Sequence, residues 1–381
     1  MTAANIPIKG DRTIWLVVVI LSIISILAVY TSSGKLAYAQ HNGNTEHYLV
    51  KQTFLVLSGL AMMYGTHLAN YKIFSRIGQI AMYASIPLLI ATLFTGEVNS
   101  ASRWLSIPFI DITFQTSDLA KLSLILFLAR QLSRKQDQIK SFREGFLPLI
   151  LPIALVCGLI LPANFSTAAI LFSTSMVLLY IGRINLKFIF ALLGAALLAF
   201  ALFIALAMIV KLPGRIGTWQ NRIENYMSQD SEGNFQPEKA KMAIASGGIF
   251  GMGIGHSEQR NFLPQSESDF IYAIIIEEAG LIGGAFVMLM YMILLLRVIR
   301  MIKYSPQSFA TFLAVGCCLM VTFQALINMA VAVNLFPVTG QTLPLVSLGG
   351  SSMWFTSISI GIILSVSKSC TNPNVNTADA A

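Results

Sequence analysis

Charge is what this chain has least of. Of its 381 residues only 11% are Asp, Glu, Lys or Arg, where a soluble domain carries roughly 25%. Hydrophobic residues make up 55% of the chain, and the mean hydropathy is +0.72. That poverty of charge excludes an ordinary soluble fold and places the chain in lipid. Cysteine is scarce too: Cys157, Cys317 and Cys318 lie inside apolar stretches and Cys370 in the tail. With no Cys-x-x-Cys pair and no His at ligand spacing, neither a disulfide framework nor structural zinc is expected. No Gly-x-Ser-x-Gly elbow or Ser/His/Asp set is present, and His41, His47, His67 and His256 are scattered. The net charge of +8 is not gathered into a basic stripe with interleaved aromatics, so nucleic acid is not an expected partner. The Lys and Arg sit instead in short loops, where they report topology.

Long apolar runs are what the chain has. A spanning helix needs about 20 mostly apolar residues. Thr13 to Gly34, Gln52 to Tyr71, Ile77 to Gly96 and Phe188 to Val210 each meet that length without a charge. The first run is too long for a signal-peptide core and lacks a small-residue cleavage site, so it reads as a retained span. Gly145 to Gly182 is broken by Pro162 and Asn164 into two spans, and Tyr304 to Ser367 is broken around Asn334 to Gly340 into two more. Two further spans carry charges: Thr113 to Ser133, with Asp118 and Lys121, and Asp269 to Ile302, with Glu277 and Glu278. The expected fold is therefore an all-α integral membrane protein of about ten transmembrane helices in a single domain spanning residues 1–381.

The basic loops, among them Arg130 to Arg143, Arg183 to Lys187 and Arg297 to Lys303, all fall on the side of the N-terminus. The positive-inside rule makes that side cytoplasmic for both termini. A disordered cytoplasmic tail is expected over residues 369–381. Between the seventh and eighth spans lies one long extracytoplasmic loop, residues 211–268. Ile216, Trp219, Ile223 and Tyr226 stand there at helical spacing, which fits either an interfacial helix or the packing helix of a small cap.

Charges at membrane depth cost about 2.5 to 3.5 kcal/mol each at a helix centre, so those present need a reason. Asp118 and Lys121, three apart on one helical face with Gln115 extending the stripe, read either as an ion pair holding helices together or as substrate contacts. Glu277 and Glu278 point about 100° apart, so one packs or caps while the other lines a cavity. The glycines of Ser246 to Gly255 lack a preceding strand and a Gly-Lys-Ser/Thr, which excludes a nucleotide loop and leaves tight backbone turns. A second cluster, Ser347, Leu348, Gly349, Gly350, Ser351 and Ser352, permits close helix approach or exposes amides to a diphosphate.

Read in order, these segments form a set. Ala101 to Leu105 resembles A-x-R-W-L, and Phe114 to Lys121 resembles F-Q-P-S-E-x-x-K. Lys239 to Gly255 resembles a block ending A-I-x-S-G-G-x-x-G-x-G, and Leu263 to Ile271 resembles L-P-x(4)-D-F-I. Glu277 to Gly280 continues as E-E-x-G, and Pro337 to Ser352 resembles P-x-T-G-x-x-L-P-x-x-S-x-G-G-S-S. Together they resemble the SEDS (shape, elongation, division, sporulation) family of peptidoglycan polymerases over most of the chain. Four positions depart: Thr116 stands where Pro is usual, Asp118 where Glu is usual, and Ala163 and Asn164 where Pro and Asp are frequent.

The resemblance implies glycan-strand polymerisation from lipid II at the outer face of the bacterial inner membrane. The Ser257 to Asp269 segment is closer to the division branch than to the elongation branch. Expected partners are lipid II, undecaprenyl-diphosphate-linked glycan, a class B penicillin-binding protein of the FtsI-like kind, whose single membrane helix would dock on the bundle, and other division proteins. The resemblance makes Asp269 the catalytic base. It assigns Arg103, Lys121, Asp118, Gln115, Glu277, Glu278, Ser347, Gly349, Gly350, Ser351 and Ser352 to substrate binding, with Arg103, Lys121, one of the two glutamates and the Ser347 to Ser352 segment lining one outward cavity. A divalent cation, Mg or Mn, is the candidate cofactor. The competing readings are an elongation polymerase, a lipid II flippase and a non-catalytic scaffold.

Overall fold

The computed structural model describes residues 10–41, 44–94, 104–106, 113–209, 235–305 and 307–370. Each apolar run folds as a helix. In chain order these are α1 (Arg12–Ser32), short α2 (Gly34–His41), α3 (Glu46–Leu68) and α4 (Ile73–Phe94). A small antiparallel pair, β1 (Trp104–Ser106) and β2 (Thr113–Gln115), leads into α5 (Thr116–Arg134). There follow α6 (Leu147–Ile160), α7 (Phe165–Ile181), α8 (Leu186–Ile209), α9 (Phe235–Gly247), α10 (Ile271–Ile302), α11 (Ser308–Ala332) and α12 (Gly350–Cys370).

Among the described residues a helix stands at each of the ten expected span positions, and six helical segments are long and apolar enough to cross a membrane by themselves. The chain is thus a multi-pass membrane protein. Helix α5 falls outside those six because Asp118, Lys121, Arg130 and Arg134 lower its hydropathy. The amphipathic stretch expected at 216–226 and most of the predicted tail lie outside the described residues. Helix α12 itself runs on to Cys370, two residues past the expected start of that tail.

Helices α5, α11 and α12 form the centre. In α11 and α12, 78% and 72% of the apolar window is buried, against 28% in α4, so the outer helices present apolar side chains to lipid and the inner ones to protein. Leu16, Ile23 and Leu27 of α1 and Phe190, Leu197 and Leu198 of α8 are exposed accordingly. Lipid tails are as apolar as Leu, so contacts between helices rest on close packing of small residues. Gly361 of α12 lies so near α3 that a Cβ there would meet Thr66 and the Met63 carbonyl. At the turn between the two spans of the 145–182 run, Asn164 caps α7, its Oδ1 accepting from the Thr167 amide at 3.2 Å.

One helix is broken. Gly280, inside α10, takes φ 72° and ψ −177°, a backbone region essentially reserved for glycine. The glycine-rich stretch after α9 fills the gap. The Met252 and Gly253 amides donate to the Glu277 and Glu278 carbonyls at 2.9 and 3.0 Å, while the Leu281 and Ile282 amides donate to the Gly248 and Ile249 carbonyls at 3.0 and 3.4 Å. Four backbone groups beside the break thus find partners outside the helix. A Cβ on Gly251 or Gly280 would run into the backbone of the other segment, which is why the contact needs glycine on both sides. The expected tight turns are present, and they serve to dock this stretch into a helix.

Candidate functional site

The polar residues of the core converge from α5, α11 and the connection between α11 and α12. In the first two turns of α5, Lys121 Nζ lies 2.8 Å from Asp118 Oδ1, with both side chains buried. Lys121 also donates to Gln324 Oε1 of α11 at 3.0 Å, and Gln324 Nε2 donates to the Thr342 carbonyl at 3.0 Å. Thr342 and Ser352 share a hydroxyl contact at 3.2 Å. Asp118 Oδ2 is buried and lacks a hydrogen-bond partner. A small cavity lies against it, lined also by Lys121, Gln324, Ser352, Phe355 and Thr356. The sequence left an ion pair and a substrate contact open for Asp118 and Lys121. The geometry contains the ion pair and sets it on the wall of this cavity.

At the head of α5, the Gln115 amide donates to Ser351 Oγ at 3.1 Å and the Gln115 side chain to Ser117 Oγ at 2.9 Å. Arg103 lies outside the described residues. Its neighbour Trp104 pairs in register with Gln115 across the small sheet. Gly349 sits against Thr342, and Gly350 opens α12 with free space where a Cβ would be.

The turn that carries Asp269 is held by its backbone. Ser347 Oγ donates to the Ser268 carbonyl at 2.6 Å, and the Leu348 amide donates to the Glu267 carbonyl at 2.9 Å. Asn328 Nδ2 of α11 donates to the Asp269 carbonyl at 2.8 Å and to the Gln341 carbonyl at 2.6 Å. Gln341 in turn donates to Thr167 Oγ1 of α7 at 2.8 Å. Asp269 is half-buried and stands one residue before Phe270, which is the N-cap of α10. The N-cap position of α10 thus belongs to its neighbour and not to Asp269. Beside it, burial pushes the Glu267 carboxyl above its ordinary value, against the Ser266 hydroxyl, its own amide and the charge of Lys35.

The connection between α11 and α12 is fixed from both sides. Leu345 takes φ 63°, unusual for a residue with a side chain. Tyr291 hydrogen-bonds the Pro344 carbonyl and Ser25 the Val346 carbonyl, the latter at 2.8 Å, so the strained residue is clamped front and back. Ser25 also receives Gln52 Nε2 at 2.6 Å. Helices α1, α3 and α10 all brace the segment.

Ser347 to Ser352, Gln115, Asp118, Lys121 and the Asp269 turn are thereby linked in one hydrogen-bonded web. Glu277 and Glu278 bond elsewhere. Glu277 accepts from the Glu258 and Gln259 amides, each at 3.1 Å, and from the Ser257 and Ser246 hydroxyls. Glu278 accepts from Thr31 of α1 at 3.0 Å, and its other oxygen is buried without a partner. The two do face different ways, as adjacent helical residues must. Sequence reasoning missed Gln324, Asn328, Thr167 and Gln341. The first two, four apart in an otherwise apolar helix, form a polar stripe of the kind that marks intramembrane sites.

Among the described residues no group of three or more His, Cys, Asp or Glu side chains is placed to hold a metal ion. The described residues therefore do not form a protein-only chelate.

A sequence profile of the FtsW/RodA/SpoVE family, described as cell cycle proteins, matches residues 11–372. The chain is 32% identical to a probable peptidoglycan glycosyltransferase FtsW of Trichlorobacter lovleyi, covering 94% of this chain and 93% of that protein. It is 33% identical to the stage V sporulation protein E of Bacillus subtilis, over 94% and 98%. Among solved structures it resembles a chain of a peptidoglycan synthase complex that coordinates polymerization and crosslinking, with TM-score 0.74, 23% identity and coverage of 95% of this chain and 99% of that one. Rod shape determining protein RodA of Thermus thermophilus matches with TM-score 0.67 and 22% identity, over 95% and 98%. At these identities the structures establish a shared fold.

Proposed function

Because this chain belongs to the FtsW/RodA/SpoVE family, we propose that it is a peptidoglycan glycosyltransferase of the inner membrane that polymerises lipid II during cell division, with Asp269 as its base. The observation that carries this reading is the web that ties the Asp269 turn to Ser347, Leu348 and Asn328 and, through Gln324 and Thr342, to the Lys121 ion pair. A lysine and an aspartate carried on two turns that one braced segment joins suit a donor whose leaving group is a diphosphate. The acceptor hydroxyl gives its proton to the Asp269 carboxylate as its oxygen bonds the anomeric carbon. The bond from that carbon to the diphosphate oxygen breaks on the opposite face, with inversion. A diphosphate is a good leaving group, so the second carboxyl that protonates an alkoxide in glycoside hydrolysis is not required. Lys121 supplies charge to the departing diphosphate and Arg103 a forked pair of donors. Glu277 and Glu278 hold the outer segments that shape the cavity. Both termini lie in the cytoplasm.

The test is Asp269→Asn, which keeps size and backbone hydrogen bonds but removes the base. Purified in detergent with its partner, the variant should bind lipid II and form no glycan. Near-normal polymerisation would end this assignment.

The chain works beside a class B penicillin-binding protein whose single membrane helix packs on the outer face of the bundle. The likeness to a chain of a synthase complex supports this. Co-purification in mild detergent with a partner-dependent rise in rate is the expected result, and a rate indifferent to the partner removes the proposal.

A further inference from the structure

At the end of the bundle where α1 begins and α10 and α12 finish, a pocket of about 630 Å³ opens among Arg12, Arg297, Arg300, Lys303, Tyr304 and Ser367. That is the size of a ligand site, and it lies among the helix ends far along the chain from the Asp269 turn. The one acid among its described lining residues is Asp11. The Asp11 carboxylate is already committed, accepting from the Thr13 amide at 2.8 Å and from Arg297 at 2.6 and 2.9 Å. Arg12, Arg300 and Lys303 have no hydrogen-bond or ion-pair partner among the described residues. Three cations thus edge a cavity whose only described carboxylate is spent on a fourth.

The surface beneath the pocket says which kind of anion fits. Leu16 follows Arg12 by four residues on α1, and Leu296 precedes Arg300 by four on α10, so each lies one helical turn deeper on the face of its cation. Both are open to the surroundings, Leu16 by 59% and Leu296 by 52%. A forked Arg and an ammonium recognise phosphate oxygens, and an apolar flank directly below recognises hydrocarbon. Basic pockets between helix ends are suited to phosphorylated lipid headgroups. We propose that this pocket binds a phosphate-bearing anion, and that the apolar flank makes an anionic glycerophospholipid its source. The headgroup sits between Arg12, Arg300 and Lys303, and an acyl chain descends past Leu16 and Leu296. The bound lipid then joins the start of α1 to the end of α10 across the Asp11–Arg297 clasp.

The test uses the full chain in nanodiscs of equimolar phosphatidylglycerol and phosphatidylcholine, with retained lipid counted by native mass spectrometry after detergent release. Wild-type protein should retain phosphatidylglycerol at least about tenfold over phosphatidylcholine. The double variant Arg300→Gln, Lys303→Gln removes two exposed cations that have no partner among the described residues, each worth about fivefold in affinity near a membrane surface. It should lose that preference by about tenfold or more while keeping the wild-type melting temperature. Leu296→Asn should weaken lipid retention without touching the cations. In a second arm, glycerol 3-phosphate added at the lipid's concentration should leave retention unchanged. Equal retention of both lipids, an unaltered preference in the double variant, or displacement by glycerol 3-phosphate would each overturn the proposal.

Discussion

Asp118 and Lys121 are a buried pair at 2.8 Å, and each holds the other's charge inside the bundle. Removing one partner of a buried ion pair costs about 3 to 5 kcal/mol because the other charge stays buried. Lys121→Met is therefore expected to lower the melting temperature sharply, whereas the double change Asp118→Leu, Lys121→Met should recover most of the loss and still form no glycan. A double variant as unstable as the single one would show that the pair is not the source of the effect. Glu267 gives a pH prediction of opposite sense to the usual carboxylate. Its folded-state pKa is raised by burial, so the protein holds its proton more tightly than the unfolded chain does. Stability from this group is full below the ordinary carboxylate pKa and is lost as pH rises through the raised value. Glu267→Gln should thus be the more stable form at neutral pH, with the difference fading in acid, as read by melting temperature against pH. At this scale the sequence was informative where partners are close in the chain. Asp118 and Lys121 are three apart and announce each other. Glu277 bonds amides some twenty residues away, and no local pattern foretells that.

Hydropathy located the helices because lipid demands that each backbone group be satisfied within its own segment, which leaves a long apolar signature. It could not foretell the break in α10, since Glu277 to Leu281 reads as ordinary helix and the partners that make the break tolerable belong to another stretch. The same holds for the segment between α11 and α12. Its Gly and Pro residues mark a turn, but the bracing by Tyr291, Ser25 and Asn328 arises only when three helices meet. The ordered motifs carry part of this indirectly: the resemblance implies roles for both Asp269 and Ser347, and the structure holds the Asp269 turn through a bond from Ser347 to the Ser268 carbonyl. Gly280→Ala tests the break. A side chain at φ 72°, ψ −177° costs about 1 to 3 kcal/mol in strain, and the collision with the Ile249 carbonyl adds to it. The expected variant inserts normally, melts well below wild type, and becomes protease-sensitive between Gly248 and Gly253. A wild-type melting curve would mean that the gap is not held by this contact.

Across the whole molecule the two ends of the bundle are built differently. One end is a web of hydrogen bonds around a braced loop; at the other, Asp11 caps α1, receives Arg297 of α10 and gives its amide to Ser367 of α12 at 2.8 Å. Losing a cap and a partly exposed ion pair together costs about 1 to 2 kcal/mol. Asp11→Ala should accordingly lower stability in detergent by that amount while glycan synthesis per folded molecule stays at the wild-type rate. A fall in rate without a fall in stability would show that the two ends communicate. The broken helix also dictates an order of events during biosynthesis. A break with unpaired amides and carbonyls would be too costly to exist alone in a dry interior, so α10 must first enter the membrane as one continuous rod. It can part at Gly280 only when the preceding glycine stretch arrives to take over its hydrogen bonds. The contact of Gly248 to Gly253 with the Gly280 break is therefore expected to be a late step of folding, formed after α10 has been inserted.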